Sequence, residues 1–131
     1  MATYNIKVRT TGRRQMVEIT NDVQRIVDET GVADGVATIY CPHTTAAVTI
    51  NENADPDVKR DVMDFLGRLI PREAGFRHGE GNSDSHIMAV LTGPSTQVIV
   101  SRERLALGRW QGIYLCEFDG PREREVWVNV K

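Results

Sequence analysis

The chain has 131 residues, 40% hydrophobic and 26% charged, with 16 lysines and arginines against 18 acids and a formal net charge of −2. That length accommodates one domain with one real core, and the near-neutral balance gives no whole-chain electrostatic case for nucleic acid or an anionic membrane. No apolar run approaches the roughly 20 residues that cross a bilayer, and the start, MATYNIKVRT, lacks an apolar leader region, so a cytoplasmic protein is expected.

YNIKVR (4–9) alternates, with Tyr4, Ile6 and Val8 on one face, and QMVEIT (15–20) alternates after the Thr11-Gly12-Arg13 turn. Val23, Ile26, Val27 and Thr30 recur at helical spacing; Thr20 or Asn21 can cap that helix and Gly31 ends it. GVATIYC (35–41) and TAAVTIN (45–51) read as strands by their β-branched content. Asp55-Pro56 is a helix start, and Val58, Val62, Phe65, Leu66 and Leu69 form an apolar stripe that Pro71 stops.

Residues 71–85, PREAGFRHGEGNSDS, have no period and read as a loop. Ser83 or Asp84 can cap a short helix through HIMAVL, ending at Gly93-Pro94. TQVIVS (96–101), WQGIYLCEF (110–118) and EREVWVNV (123–130), the last two joined by a DGPR turn, complete a β-rich last third. The expected fold is α+β over residues 1–131, a single domain of mostly antiparallel sheet with two main helices and one short one.

Three histidines stand beside turns or element ends: His43, His78 and His86. Three imidazoles can hold zinc or a similar ion with a position left open, and a glycine-rich loop can bring His78 and His86 together; ordinary surface histidines are the competing reading. Asp55 is explained as a helix cap, whereas Glu52 is either an exposed strand-end carboxylate or a general acid/base. Arg122 and Arg124 share one strand face as anion clamps or as partners of Glu117, Glu123 or Glu125. Trp110 suits a core anchor better than a stacking platform, and Cys41 a buried thiol better than a soft ligand. Cys116 is far from Cys41 in sequence and no CxxC occurs, so reduced thiols are expected.

HTTAAVTINENADPD (43–57), the paired histidines of HGEGNSDSH (78–86), LALGRWQ (105–111) and EFDGPRER (117–124), taken together, resemble the YjbQ-like family, also called the secondary thiamine-phosphate synthase enzyme family. The resemblance implies a small α+β protein that forms homotrimers, with His43, His78 and His86 as ligands of a divalent metal, zinc first and magnesium or another ion as alternatives. It implies Glu52 and Asp55 as catalytic groups beside that site, Asn82 as a further polar residue there, and Trp110, Gln111 and Arg122 as other signature positions, with a small phosphorylated metabolite as substrate. The activity it implies is a transferase joining hydroxymethylpyrimidine diphosphate to thiazole phosphate. Metal-dependent hydrolysis of an ester, amide or phosphate, and a binding role without catalysis, are the alternatives. Met88, Glu103 and Arg109 depart from the family's usual lysine, glycine and threonine.

Overall fold

The computed structural model describes residues 2–131. In chain order the elements are β1 (Thr3–Arg9), β2 (Gln15–Glu18), α1 (Thr20–Thr30), β3 (Gly35–Tyr40), β4 (Ala46–Glu52), α2 (Pro56–Leu69), α3 (Ser83–Thr92), β5 (Ser95–Ser101), β6 (Arg104–Leu105), β7 (Gln111–Glu117) and β8 (Glu123–Val130). They form a five-stranded sheet, β1-β8-β3-β5-β6, and a three-stranded sheet, β2-β7-β4. Every strand pairing is antiparallel, which makes the architecture α+β as expected. Among the described residues no helix is long and apolar enough to cross a membrane.

Two cores follow from the period of two along the strands. Inward residues of the larger sheet (Val8, Ile39, Val100, Val126 and Val128) meet Val48, Ile113 and Leu115 of the smaller sheet, and α1 closes the layer with Val23 and Val27. The other face of the smaller sheet offers Met16, Ala47, Tyr114 and Cys116, which pack with Phe118 against Met88 and Ala89 of α3 and Leu66 of α2. Strand β7 is therefore buried on both faces, which is why its sequence reads as a nearly continuous apolar run. Helix α2 rides the surface: Phe65 is 56% and Leu69 57% exposed, so its stripe covers the second core only in part.

The helix ends show where local chemistry prevailed and where it did not. Asp55 caps α2, its side chain accepting from Asp57 N at 2.9 Å, with Pro56 at the first helical position. Gly31 ends α1 in the left-handed region at φ 70°. Neither expected cap of α1 is used; Ile19 stands at that position, and Thr20 lies inside the helix, its hydroxyl donating to Glu18 and accepting from Ile113 N. Tertiary partners have taken the hydroxyl that a local cap needs. The same correction applies to α3, whose cap position is Asn82 rather than Ser83 or Asp84, with no side-chain capping bond. Gly120 is demanded by close approach: a Cβ there would meet Gly12 O at 2.4 Å and Thr10 Oγ1 at 2.8 Å.

Candidate functional site

His43 enters the structure between β3 and β4, where Cys41 N donates to Pro94 O at 2.7 Å. Its Nε2 accepts a 2.9 Å hydrogen bond from the backbone N–H of Glu125 on β8, which uses the lone pair of that nitrogen. Beneath it lies a fully buried ion pair, Glu117 with Arg124, at 0% and 3% side-chain exposure. Arg124 Nε donates to Glu117 Oε1 at 2.9 Å, its Nη2 to Thr45 Oγ1 at 2.8 Å, and Thr10 Oγ1 donates to Glu117 Oε1 at 2.7 Å. Burial pushes the Glu117 carboxyl upward, but the hydrogen bonds from Arg124, Asp119 N and Thr10 outweigh it and hold the group below its ordinary value. Burial lowers the His43 imidazole, and the Arg124 charge lowers it further. Both cysteines are buried and unpaired, and burial raises the Cys41 thiol and pushes Cys116 up to about 12.

The loop from residue 71 to 82 folds back onto the start of α3. It brings His78 and His86 together edge-on, with ring centroids 5.4 Å apart. Ser83 Oγ lies 3.2 Å from His78 Nδ1, and Glu80 Oε2 lies 3.9 Å from His78 Nε2. His78, Ser83 and His86 open onto a cavity of about 460 Å³ lined also by Phe76, Arg77 and Ile87. His86 faces a second cavity of about 340 Å³, shared with His43, Thr44, Ala89 and Val90. His86 is thus the middle member of the row, with a different histidine on each side.

Beside this cleft, Asn82 Nδ2 donates to Asp119 Oδ2 at 2.9 Å, while its Oδ1 is shielded from solvent and accepts no hydrogen bond among the described residues. Asp84, 0% exposed, is held by Arg13 at 3.2 Å and by Arg14. Burial works against the Asp84 carboxylate, yet the bonds and charge of Arg13 and Arg14 lower its pKa overall. That cluster ties α3 to the turn between β1 and β2.

Of the other expected site residues, Glu52, Asp55, Trp110 and Gln111 lie at the opposite end of β4, roughly 20 Å along the strand from its His43 end, whereas Arg122 follows the turn after Glu117, which pairs with Ala46 at the His43 end. Glu52 Oε2 accepts from Ala54 N at 3.2 Å and Asp55 N at 3.3 Å, so the carboxylate closes the turn into α2. Gln111 Oε1 accepts from Gly108 N at 2.8 Å, and Asn53 N donates to Trp110 O at 2.8 Å. Trp110 is no core anchor. It is 52% exposed with the Arg109 guanidinium 4.7 Å over its ring, because burial along β7 begins only at Gly112. Arg122 donates through Nε to Asp119 O at 2.9 Å and through Nη2 to Asp119 Oδ2 at 3.1 Å. Of the two readings for the arginines, ion pairing is the one adopted: Arg124 with Glu117, Arg122 with Asp119.

A family model described as "UPF0047 protein YjbQ-like" matches residues 4–131. The chain belongs to that family. It is 48% identical over 127 residues to the UPF0047 protein MJ1081 of Methanocaldococcus jannaschii, covering 97% of this chain and 92% of that one. It is 49% identical over 126 residues to YugU of Bacillus subtilis, covering 95% and 96%. A crystal structure of a YjbQ/UPF0047 protein from Clostridium acetobutylicum superposes with a TM-score of 0.96 at 50% identity, over 98% of this chain and 99% of that one. A YbjQ-like protein of unknown function from Sulfolobus solfataricus superposes with a TM-score of 0.94 at 30% identity, over 98% and 95%.

These relatives carry a family name and no activity, and with the geometry they correct the chemistry inferred from the resemblance. Among the described residues no group of three or more histidine, cysteine, aspartate or glutamate side chains is placed to hold a metal ion. The three-histidine zinc centre expected at His43, His78 and His86 is therefore not assembled. The Glu125 amide occupies His43 Nε2, and His78 and His86 meet ring edge to ring face. The thiamine-phosphate synthase activity and the transferase class, expected from the resemblance, find no support in relatives that carry only the UPF0047 name, and the metal-dependent hydrolase lacks the centre it needs. Phe76 and Arg77 were not singled out from sequence; the available signal was their place beside His78 in GFRHG.

Proposed function

We infer that this chain binds a small phosphorylated metabolite in the cleft between the 71–82 loop and α3, through its own imidazole, hydroxyl and guanidinium donors. One observation carries the reading: His78, Ser83 and His86 converge on a single open cavity of about 460 Å³ whose remaining walls include Arg77, Phe76 and Ile87. Several donors over an apolar wall is the composition of a small-ligand pocket, and imidazole, hydroxyl and guanidinium all suit phosphate oxygens. The residues at the far end of β4 are consumed in backbone turns and offer no comparable convergence.

The test is a panel of small phosphorylated metabolites screened by thermal shift, with hits titrated calorimetrically against wild type, His78→Ala and His86→Ala. Binding that falls at least about tenfold in both variants supports the reading. A panel with no binder, or hits indifferent to both substitutions, overturns it.

A homotrimer in the cytoplasm belongs to the same proposal. Val90 and Leu91 on α3 are 80% and 62% exposed, and Ile99 on β5 is 66% exposed, apolar side chains that association between copies would cover. Both cysteines are unpaired, which suits a reducing compartment. Light scattering that gives the mass of three chains supports the assembly; the mass of one contradicts it.

A further inference from the structure

Arg72 stands at the start of the loop, immediately after the proline that stops α2, and nothing in the sequence motifs draws attention to it. Its Nε reaches across the loop to Gly81 O at 3.4 Å, which sets the guanidinium beside the first turn of α3. There it lines a cavity of about 190 Å³ together with Gly75, His78, Gly81 and Ser83. His78, Ser83 and Phe76 also line the 460 Å³ cavity described above, so the two spaces adjoin through these three side chains. Gly75 and Gly81 turn the backbone at φ 71° and 77°, and no atom lies within 4 Å of where a Cβ would stand on either.

The two spaces differ in chemistry. The larger is floored by Phe76 and Ile87. The smaller lies next to a local excess of positive charge, because Arg13 and Arg14 already share the single buried carboxylate of Asp84. Burial and the neighbouring Arg13 lower the Arg14 guanidinium, and Arg72 adds to them, which places Arg72 within reach of that cluster. No side-chain bond caps α3, whose first residue, Ser83, lines this space. One opposing charge, Glu73, lines the same cavity, and Glu80 stands near His78 on the exposed rim.

We propose that Arg72, His78 and Ser83 form the seat of the ligand's phosphate group, and that Phe76 and Ile87 hold a compact apolar body next to it. The ligand class is then a phosphate monoester, with its dianion in the smaller cavity and its carbon skeleton in the larger. This rests on the reading that the cleft takes a phosphorylated metabolite and assigns each end of that ligand to its own residues. Arg72 supplies a planar two-pronged donor that lysine cannot copy, so Arg72→Lys recovers only part of the binding.

Calorimetric titration with two probes, inorganic phosphate and phenyl phosphate, separates the subsites. In wild type, phenyl phosphate binds more tightly than inorganic phosphate. Arg72→Gln weakens both probes by about tenfold, since each loses a charge-assisted bond. Phe76→Ala weakens phenyl phosphate alone, and Glu73→Gln tightens both by removing the opposing charge. All three side chains are at least partly exposed, so the variants keep the fold, which circular dichroism verifies. If the probes bind but Arg72→Gln leaves both affinities unchanged, or Phe76→Ala weakens both equally, the assignment of subsites is wrong while phosphorylated-ligand binding stands. If neither probe binds wild type but another phosphorylated compound does, the subsite model is wrong in the same way. If nothing phosphorylated binds, both statements fall together.

Discussion

The floor beneath His43 and the cleft beside His86 are built from similar residue types put to opposite uses. Beneath His43, Glu117, Arg124, Thr10 and Thr45 are buried and hydrogen-bonded to one another, and the ring itself is claimed by the Glu125 amide. In the cleft, His78, Ser83, Arg77 and Arg72 line cavities open to ligand, and His78 retains 42% side-chain exposure. The lesson is that a charged or imidazole side chain is a candidate for function only once its structural partners are counted. By that measure Glu117, Arg124, Asp84, Glu52 and Asp55 are already engaged, whereas Arg77, His78 and His86 still face the cleft.

Substitutions sharpen this contrast, beginning with the largest effect. Glu117→Ala leaves the Arg124 guanidinium buried and unpaired, and urea titration should show a loss of about 3–5 kcal/mol in unfolding free energy. Acid acts on the same pair. The folded Glu117 carboxyl titrates below its ordinary value of 4.5, so it contributes stability above that pH and loses it as the pH falls through the folded value. His43 acts in the same direction from a higher starting point. Its imidazole is lowered from 6.5, so the neutral ring favours the folded state and stability begins to decline as the pH drops below that. Melting temperatures measured across that pH range should fall less steeply in His43→Gln.

Asp84→Ala should cost less, about 2 kcal/mol by the same titration, because Arg13 and Arg14 are 27% and 18% exposed and can turn toward water. Asp55→Ala removes the cap of α2 and should lower stability by about 1 kcal/mol. His78→Ala, at an exposed position, should change stability by less than about 0.5 kcal/mol while still removing ligand binding.

Much of this was legible in the chain itself. The alternation of β1, β5 and β8, the stripe of α2 and the Asp55-Pro56 cap are local signals, and the structure repeats them. The approach of His78 to His86 was also legible, since two histidines eight residues apart across a glycine-rich loop can be brought together as it folds back. What could not be read were partners set by sheet register. His43 meets Glu125 only because β3 lies against β8, and Thr20 serves Ile113 only because α1 begins beside β7. The two-residue strand β6 was too short to show any alternation. Arg72 was hidden because an arginine after a helix-ending proline looks like any solvated loop residue.

The most direct measurement follows the imidazole ring signals of all three histidines by NMR while a phosphorylated ligand is titrated in. Large shifts at His78 and His86, with His43 moving little and the Trp110 indole not at all, are the expected result. Shifts centred on Trp110 and the neighbours of Glu52, with the His78 and His86 rings unmoved, would place the site at the other end of β4 and contradict the account.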